Sequence, residues 1–148
     1  MSDDPELTRT LNAWSETFLH HSMHEFKKFM DECSLSPSQM ITLFRLYHGE
    51  PCSISAVGSL LGISNAASSQ LIDRLVLQGL VERVEDPIDR RVKQLVITTK
   101  GKTLVAQGIN ARRQWMETLT NEMTSEQLAI VISALSMLTS CASNIRER

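Results

Sequence analysis

The chain has 148 residues, a formal net charge of −2, 42% hydrophobic and 5% aromatic residues. That length suits one domain, which buries roughly 68–70% of its unfolded surface, and six Gly and four Pro exclude low-complexity or collagen-like chains. The acidic opening Met1-Ser2-Asp3-Asp4-Pro5 predicts no signal peptide, and the longest uncharged run, 51–72, is too interrupted by Ser, Gly, Asn and Gln for a membrane span. Three scattered cysteines make no disulfide framework. The expected setting is the cytoplasm, without a membrane partner, and the overall acidic balance taken whole argues against nucleic acid.

From Glu6 to Glu32, Leu7, Leu11, Trp14, Phe18, Met23, Phe26, Phe29 and Met30 recur mostly at spacings of three and four, which predicts a long amphipathic helix. Ser36-Pro37-Ser38-Gln39 reads as a capped helix start, and Met40, Ile41, Leu43, Phe44 and Leu46 follow until His48-Gly49-Glu50-Pro51 ends the element. Ser53 caps a short helix to Leu61, with Ile54, Val57, Leu60 and Leu61 expected inward. Gly62 supplies the turn. A further helix runs from Ser64 to Gln78, with Ala67, Leu71, Leu75 and Ile72 on its inner side and Gly79 closing it. Two short helices joined through a Gly turn are a helix-turn-helix signature. Leu80–Glu85 and Val92–Thr98 then alternate as a hairpin with a polar, basic tip. Thr98 or Thr99 opens a helix bearing Leu104, Val105, Ile109, Trp115, Met116 and Leu119. Thr124-Ser125-Glu126-Gln127 is a second capping box. The last helix, with Leu128, Val131, Ile132, Leu135, Leu138, Cys141 and Ile145, is apolar over too wide an arc for one partner, so it is expected to pack on its own chain and across a subunit interface.

Dividing the charge by segment alters the first impression. Residues 1–73 carry nine acids and four bases, whereas residues 74–113 carry nine bases and four acids, and residues 114–148 hold two bases and four acids. A local basic block is what phosphate binding needs, although a solvated charged face has the same composition. Ser64, Asn65, Ser69 and Gln70 at the amino end of the second short helix are candidates for base contacts, joined by Ser68 if it faces outward. Small polar side chains let a helix approach the major groove, and Gln can pair with adenine through two hydrogen bonds. Arg74, one turn on, suits a phosphate. At the hairpin tip, Arg90 and Arg91 suit a narrow minor groove, and Asp89 can hold Arg91 in a forked salt bridge. The bland alternatives are helix capping for Ser64 and an ordinary solvated turn for the tip.

Gly79-Leu80-Val81-Glu82-Arg83, Asp89-Arg90-Arg91 and Ile97-Thr98-Thr99-Lys100-Gly101 together resemble the MarR family (multiple antibiotic resistance regulators), most strongly over Ser53–Gly101. The resemblance implies a mostly α fold with a small β-hairpin: a winged helix-turn-helix in a homodimer. Residues 1–35 and 99–148 would form dimerisation helices and residues 36–98 the DNA-binding region, within one compact domain. It also implies that Asp89 and Arg91 match the wing Asp-x-Arg, with Arg91 in the minor groove. The sequence departs from the family at Ala67-Ser68, where members often carry Thr and an apolar residue, which leaves the rotation of the recognition helix open.

Family members respond to small aromatic anions, oxidants or metals. His20 and His24 lie one turn apart, but a site needs further ligands, and residues 98–122 contain no histidine of the kind the zinc-sensing branch uses. Surface histidines are the alternative, and no metal or cofactor is assigned. The hydroperoxide-sensing branch has a Cys near the start of the first helix, where this chain has none. Cys52, before a helix whose amino end would lower a thiol pKa, is the better redox candidate than Cys33, and Cys141 is expected in a core. Trp14, Phe18, Phe44 and Arg45 suit either a ligand crevice or simple core. The leading expectation is a homodimeric regulator of double-stranded DNA, usually a repressor in this family, with a pseudo-palindromic operator and a small aromatic effector. The alternatives are a protein-binding winged helix and a redox- or metal-responsive member of the family. No catalytic motif appears.

Overall fold

The computed structural model describes residues 4–49, 51–86 and 93–145. Its elements are α1 (Pro5–Glu32), α2 (Pro37–His48), β1 (Cys52–Ser53), α3 (Ile54–Leu61), α4 (Asn65–Leu77), β2 (Val81–Glu85), β3 (Lys93–Ile97), α5 (Thr99–Asn121) and α6 (Ser125–Ile145). The contacts divide the chain into two units, Met1–Arg112 and Arg113–Arg148.

Local hydrogen bonds account for most helix starts. At the start of α2, the Gln39 N–H donates to Ser36 Oγ at 3.2 Å and the Ser36 N–H to Gln39 Oε1 at 2.8 Å, the reciprocal pairing of a capping box. Ser53 and Ser64 each accept one backbone N–H, from Ala56 and Ala67, both at 3.2 Å. Between them Gly62 adopts φ 65° and ψ 34°, a left-handed conformation that costs a residue without Cβ little. The helix-turn-helix is thus fixed by two serine caps and one glycine. Thr124 and Gln127 cap α6 reciprocally, at 2.9 and 3.3 Å.

The first unit is organised around a core that includes Met40 and Leu43 of α2, Val57 of α3, Ile72 and Leu75 of α4, Leu80, Val81, Leu95 and Ile97 around the sheet, and Val105 of α5. The sheet is antiparallel in the order β1-β3-β2. Val81 pairs with Ile97, and Leu95 lies between Arg83 and Cys52. Leu95 and Ile97 point inward, as their alternation predicts, while β2 is exposed beyond Val81. β1 has only two residues and no alternation of its own, so it carries no signal in the sequence; its pairing is supplied by β3.

Three expectations about side-chain direction change. Leu60 is 50% exposed because α3 turns its Gly58 side, not its Leu60 side, toward α4. Ala67 is exposed and Ser68 is fully buried in its place. Ser68, Ile72 and Leu75 stand at i, i+4 and i+7, one helical face, and Ser68 satisfies its hydroxyl by donating to Ser64 O at 2.9 Å. Cys141 is exposed rather than in a core.

Gly58 makes that inward turn of Ser68 feasible, since a Cβ at Gly58 would stand 2.7 Å from Ser68 Oγ. Gly58→Ala gains up to ~1 kcal/mol of helix propensity, but overpacking costs about 1–3 kcal/mol. Net destabilisation is expected in urea unfolding, and it should shrink in a Ser68→Ala background, where the clashing oxygen is absent. An additive pair would show that the two side chains do not meet.

Candidate nucleic-acid interface

The outward face of α4 follows from its inward one. With Ser68, Ile72 and Leu75 buried, Ala66, Ala67, Gln70, Asp73 and Arg74 are exposed, and Leu77 at 89% is the most exposed large apolar residue described. Asn65 and Ser64 are exposed at the amino end, and Ser69 is half-buried at the edge of the face. Ser64 spends its side chain on the cap. Ser68 leaves the set of base-contact candidates, because a fully buried hydroxyl bonded into its own helix cannot reach a base edge. Gln70 and Arg74 are both exposed, one turn apart on one side of α4. Asp89, Arg90 and Arg91 lie outside the described residues.

Asp73 brings a negative charge onto this face. Arg83 of β2 meets it, Nη2 to Oδ1 at 2.6 Å, and so ties the first wing strand to the recognition helix. The pair is partly exposed, so it contributes only about 0–1 kcal/mol to stability. Its effect is to neutralise a carboxylate on the exposed face of α4. The sequence could not reveal the pair, since its members are ten residues apart on different elements. At the other end of the hairpin Lys93 Nζ meets Glu85 Oε1 at 3.0 Å, and Gln94 Nε2 donates to Asp86 Oδ2 at 2.7 Å, holding the strand ends that lead to the tip. Among the described residues Arg74 and Lys102 have no ion pair.

The sensing candidates are placed as follows. Trp14 and Phe18 lie 6.4 Å apart between ring centroids on α1. Phe44 instead groups with Phe26 at 6.0 Å and with His48 at 6.3 Å, and Arg112 Cζ stands 5.6 Å from the Phe26 centroid. His20 and His24 line an open groove of about 880 Å³ along α1, with Leu19, Met23, Met30 and Leu35. Among the described residues, no group of three or more His, Cys, Asp or Glu is arranged to hold a metal ion. Cys52 does not have the lowered thiol pKa expected before a helix: burial pushes it up, and the nearby Arg45 only partly offsets this. Burial, aided by the Glu32 carboxylate, raises Cys33 as well.

These features define a winged helix-turn-helix fold. Residues 34–92 match the MarR family. Over 112 residues the chain is 27% identical to "Uncharacterized HTH-type transcriptional regulator YsmB" of Bacillus subtilis (strain 168), covering 76% of this chain and 77% of that protein. The transcriptional regulator Tm0710 from Thermotoga maritima has a similar structure, at TM-score 0.80 and 24% identity over 98% of this chain and 99% of that one. A point mutant of S. aureus MepR bound to an oligodeoxyribonucleotide is similar at TM-score 0.71 and 19% identity, covering 89% and 97%. The match to the MarR family spans residues 34–92, and the likeness to the two solved structures is one of fold.

A thiol with a raised pKa stays protonated at neutrality and is a poor nucleophile. Iodoacetamide is therefore expected to alkylate Cys33 and Cys52 more slowly than free cysteine near neutral pH, with rates that climb as pH passes the ordinary thiol range. Rapid neutral alkylation, read by mass spectrometry, would show an activated thiolate.

Proposed function

We propose that this chain is a transcription regulator of the MarR type, a homodimer that binds a pseudo-palindromic operator through two α4 helices and represses until a small aromatic ligand releases it. The observation that carries the reading is the outward face of α4, with Asn65 exposed at the amino end and Gln70 and Arg74 exposed one turn apart further along. In this reading residues 36–98 are the DNA-binding region. Asn65, Ser69 and Gln70 meet base edges, with Ser64 setting the helix start, and Arg74 meets a phosphate. Arg90 and Arg91 of the wing, with Asp89 orienting Arg91, enter the minor groove. Two equivalent helices read half-sites about one helical turn apart. The DNA-bound MepR variant, similar in fold, supports this use of the fold.

Residues 1–35 and 99–148 are proposed to form the dimer. On α1, Leu7, Leu19 and Met23 are half exposed or more, and on α6 Ile130, Ile132 and Met137 are each 64% exposed. Exposed large apolar side chains recur along each of these two helices, and a two-fold partner would cover them with its own copy. Within α6, Ser125–Asn144 is long and apolar enough to cross a bilayer by length and composition alone. Gln127, Ser133, Ser136, Thr139, Ser140 and Ser143 distribute polar groups along it, which suits a helix interface better than lipid. A cytoplasmic location follows from access to DNA.

For the effector, the Phe26, Phe44 and His48 rings, with Arg112 over Phe26, combine aromatic faces with a guanidinium, the chemistry that holds an aromatic anion. Such a ligand releases DNA if it binds more tightly to a dimer whose recognition helices no longer fit successive grooves.

Titration of operator duplex, selected from random sequences, should give an affinity that falls steeply as salt rises. No duplex binding even at low salt would overturn the reading in favour of a protein-binding winged helix. Gln70→Ala is expected to cost about 1–3 kcal/mol and to relax preference at one base pair per half-site. Arg91→Ala should weaken operator binding while sedimentation still shows a dimer.

A further inference from the structure

The carboxyl end of the recognition helix is fastened to the first turn of α5. Lys100 Nζ donates to Gln78 O at 2.7 Å, and Thr98 Oγ1 donates to Gly79 O at 2.7 Å. The same hydroxyl accepts the Gly101 N–H at 3.0 Å, so one side chain both starts α5 and closes α4. The Thr98 N–H donates to Leu80 O at 3.1 Å. Gly101 is buried, and a Cβ there would overlap Leu80 O and stand 2.7 Å from Ile97 Cγ1. The two segments therefore touch backbone to backbone. At the exit itself Gly79 has φ +70°, and Lys100 Cδ lies 4.0 Å from where its Cβ would be, so the lysine stem crosses the turn before its ammonium reaches the carbonyl.

The last carbonyls of a helix have no partner within it, and the partial negative charge gathered there favours a cation. Lys100 supplies both the donor and the charge. An ammonium engaged in this way is directed toward α4, which distinguishes Lys100 from Arg74 and Lys102, whose side chains make no hydrogen bond or ion pair among the described residues. Composition alone counts all three equally within the basic block.

We propose that Thr98 and Lys100 are positioning residues for DNA recognition: they lock the exit of α4 to the start of α5, so the tilt of the reading face is set from α5. The proposal rests on the DNA-binding reading above. Its consequence is that Lys100 contributes to affinity by holding a helix and not by neutralising a phosphate, and the two roles have different signatures. A lost phosphate contact weakens all duplexes alike and lowers the salt slope by about one. A loosened helix weakens the operator selectively and leaves the slope unchanged.

Lys100→Met, Lys100→Arg and Thr98→Val separate these outcomes. For each variant, affinity for the selected operator and for an unrelated duplex would be measured against salt, and amide hydrogen exchange at Gln78, Gly79 and Leu80 in the free protein. Lys100→Met and Thr98→Val are expected to lose about fivefold in operator affinity, the scale of one hydrogen bond, with an unchanged salt slope. Exchange at the three amides should rise several-fold, and Lys100→Arg should restore both readouts, since a guanidinium also donates to Gln78 O. Equal loss on both duplexes with a reduced slope would make Lys100 a phosphate contact and overturn the proposal. A lowered melting temperature with unchanged operator affinity would reduce it to a purely structural tie, and unchanged exchange in both variants would show that no lock exists. Failure of the unmodified protein to bind any duplex is a separate result, which overturns the DNA-binding reading itself.

Discussion

A helix can bury only one face, and in α4 Ile72 and Leu75 choose it. Both are fully buried within the core that also holds Met40, Leu43, Val57 and Leu95. Each such side chain contributes about 1.5–3 kcal/mol relative to exposure. Rotating α4 by one residue, about 100°, would bring these side chains out and carry Asp73 or Arg74 toward the core, where an unpaired charge is costly. The Asp73–Arg83 pair, at about 0–1 kcal/mol, is too weak to resist or drive such a rotation. The apolar core therefore decides which residues the helix presents, and the salt bridge only adjusts how the wing lies against it.

This explains which parts of the molecule were legible in the sequence. Helix boundaries were, because they are set by hydrogen bonds at fixed short offsets: Ser36 with Gln39, Ser53 with Ala56, Ser64 with Ala67, and Thr124 with Gln127. The inward residues of β3 were legible for the same reason, since alternation is local. The rotation of α4 was not. By polarity Ala67 belongs inside and Ser68 outside, and the structure reverses them because Gly58, on another helix, leaves room for a hydroxyl that is satisfied within α4. Leu60 and Cys141 share this difficulty, as their exposure depends on what lies opposite. For the candidate site, the amino end of α4 and Arg74 could be read from residue type and spacing. Asp73–Arg83 and the Lys100–Gln78 bond could not, because only the tertiary path of the chain brings them together.

The basic block also has a different meaning once its partners are known. Of its cations, Arg83 is paired with Asp73 and Lys93 with Glu85, while Lys100 is bonded to a backbone carbonyl. The charge that composition assigns to DNA is partly used inside the protein, to hold β2 against α4 and to hold α4 against α5. Part of a basic segment's charge can thus be structural, and counting Lys and Arg overstates the electrostatic attraction available to phosphates by at least the two cations paired among the described residues.

That redistribution bears on control. Where affinity comes mainly from many free cations, a small displacement of a recognition helix costs little, because phosphates recur along the duplex and the attraction is tolerant of register. Where few cations are free, binding depends on two reading faces being held at the spacing and tilt of successive grooves. On the proposed reading this protein is of the second kind, and its recognition helix is joined to α5 by bonds that do not involve DNA. A ligand that shifts α5 then needs only a modest preference for the displaced dimer to empty the operator, since the displaced form has little non-specific attraction to fall back on.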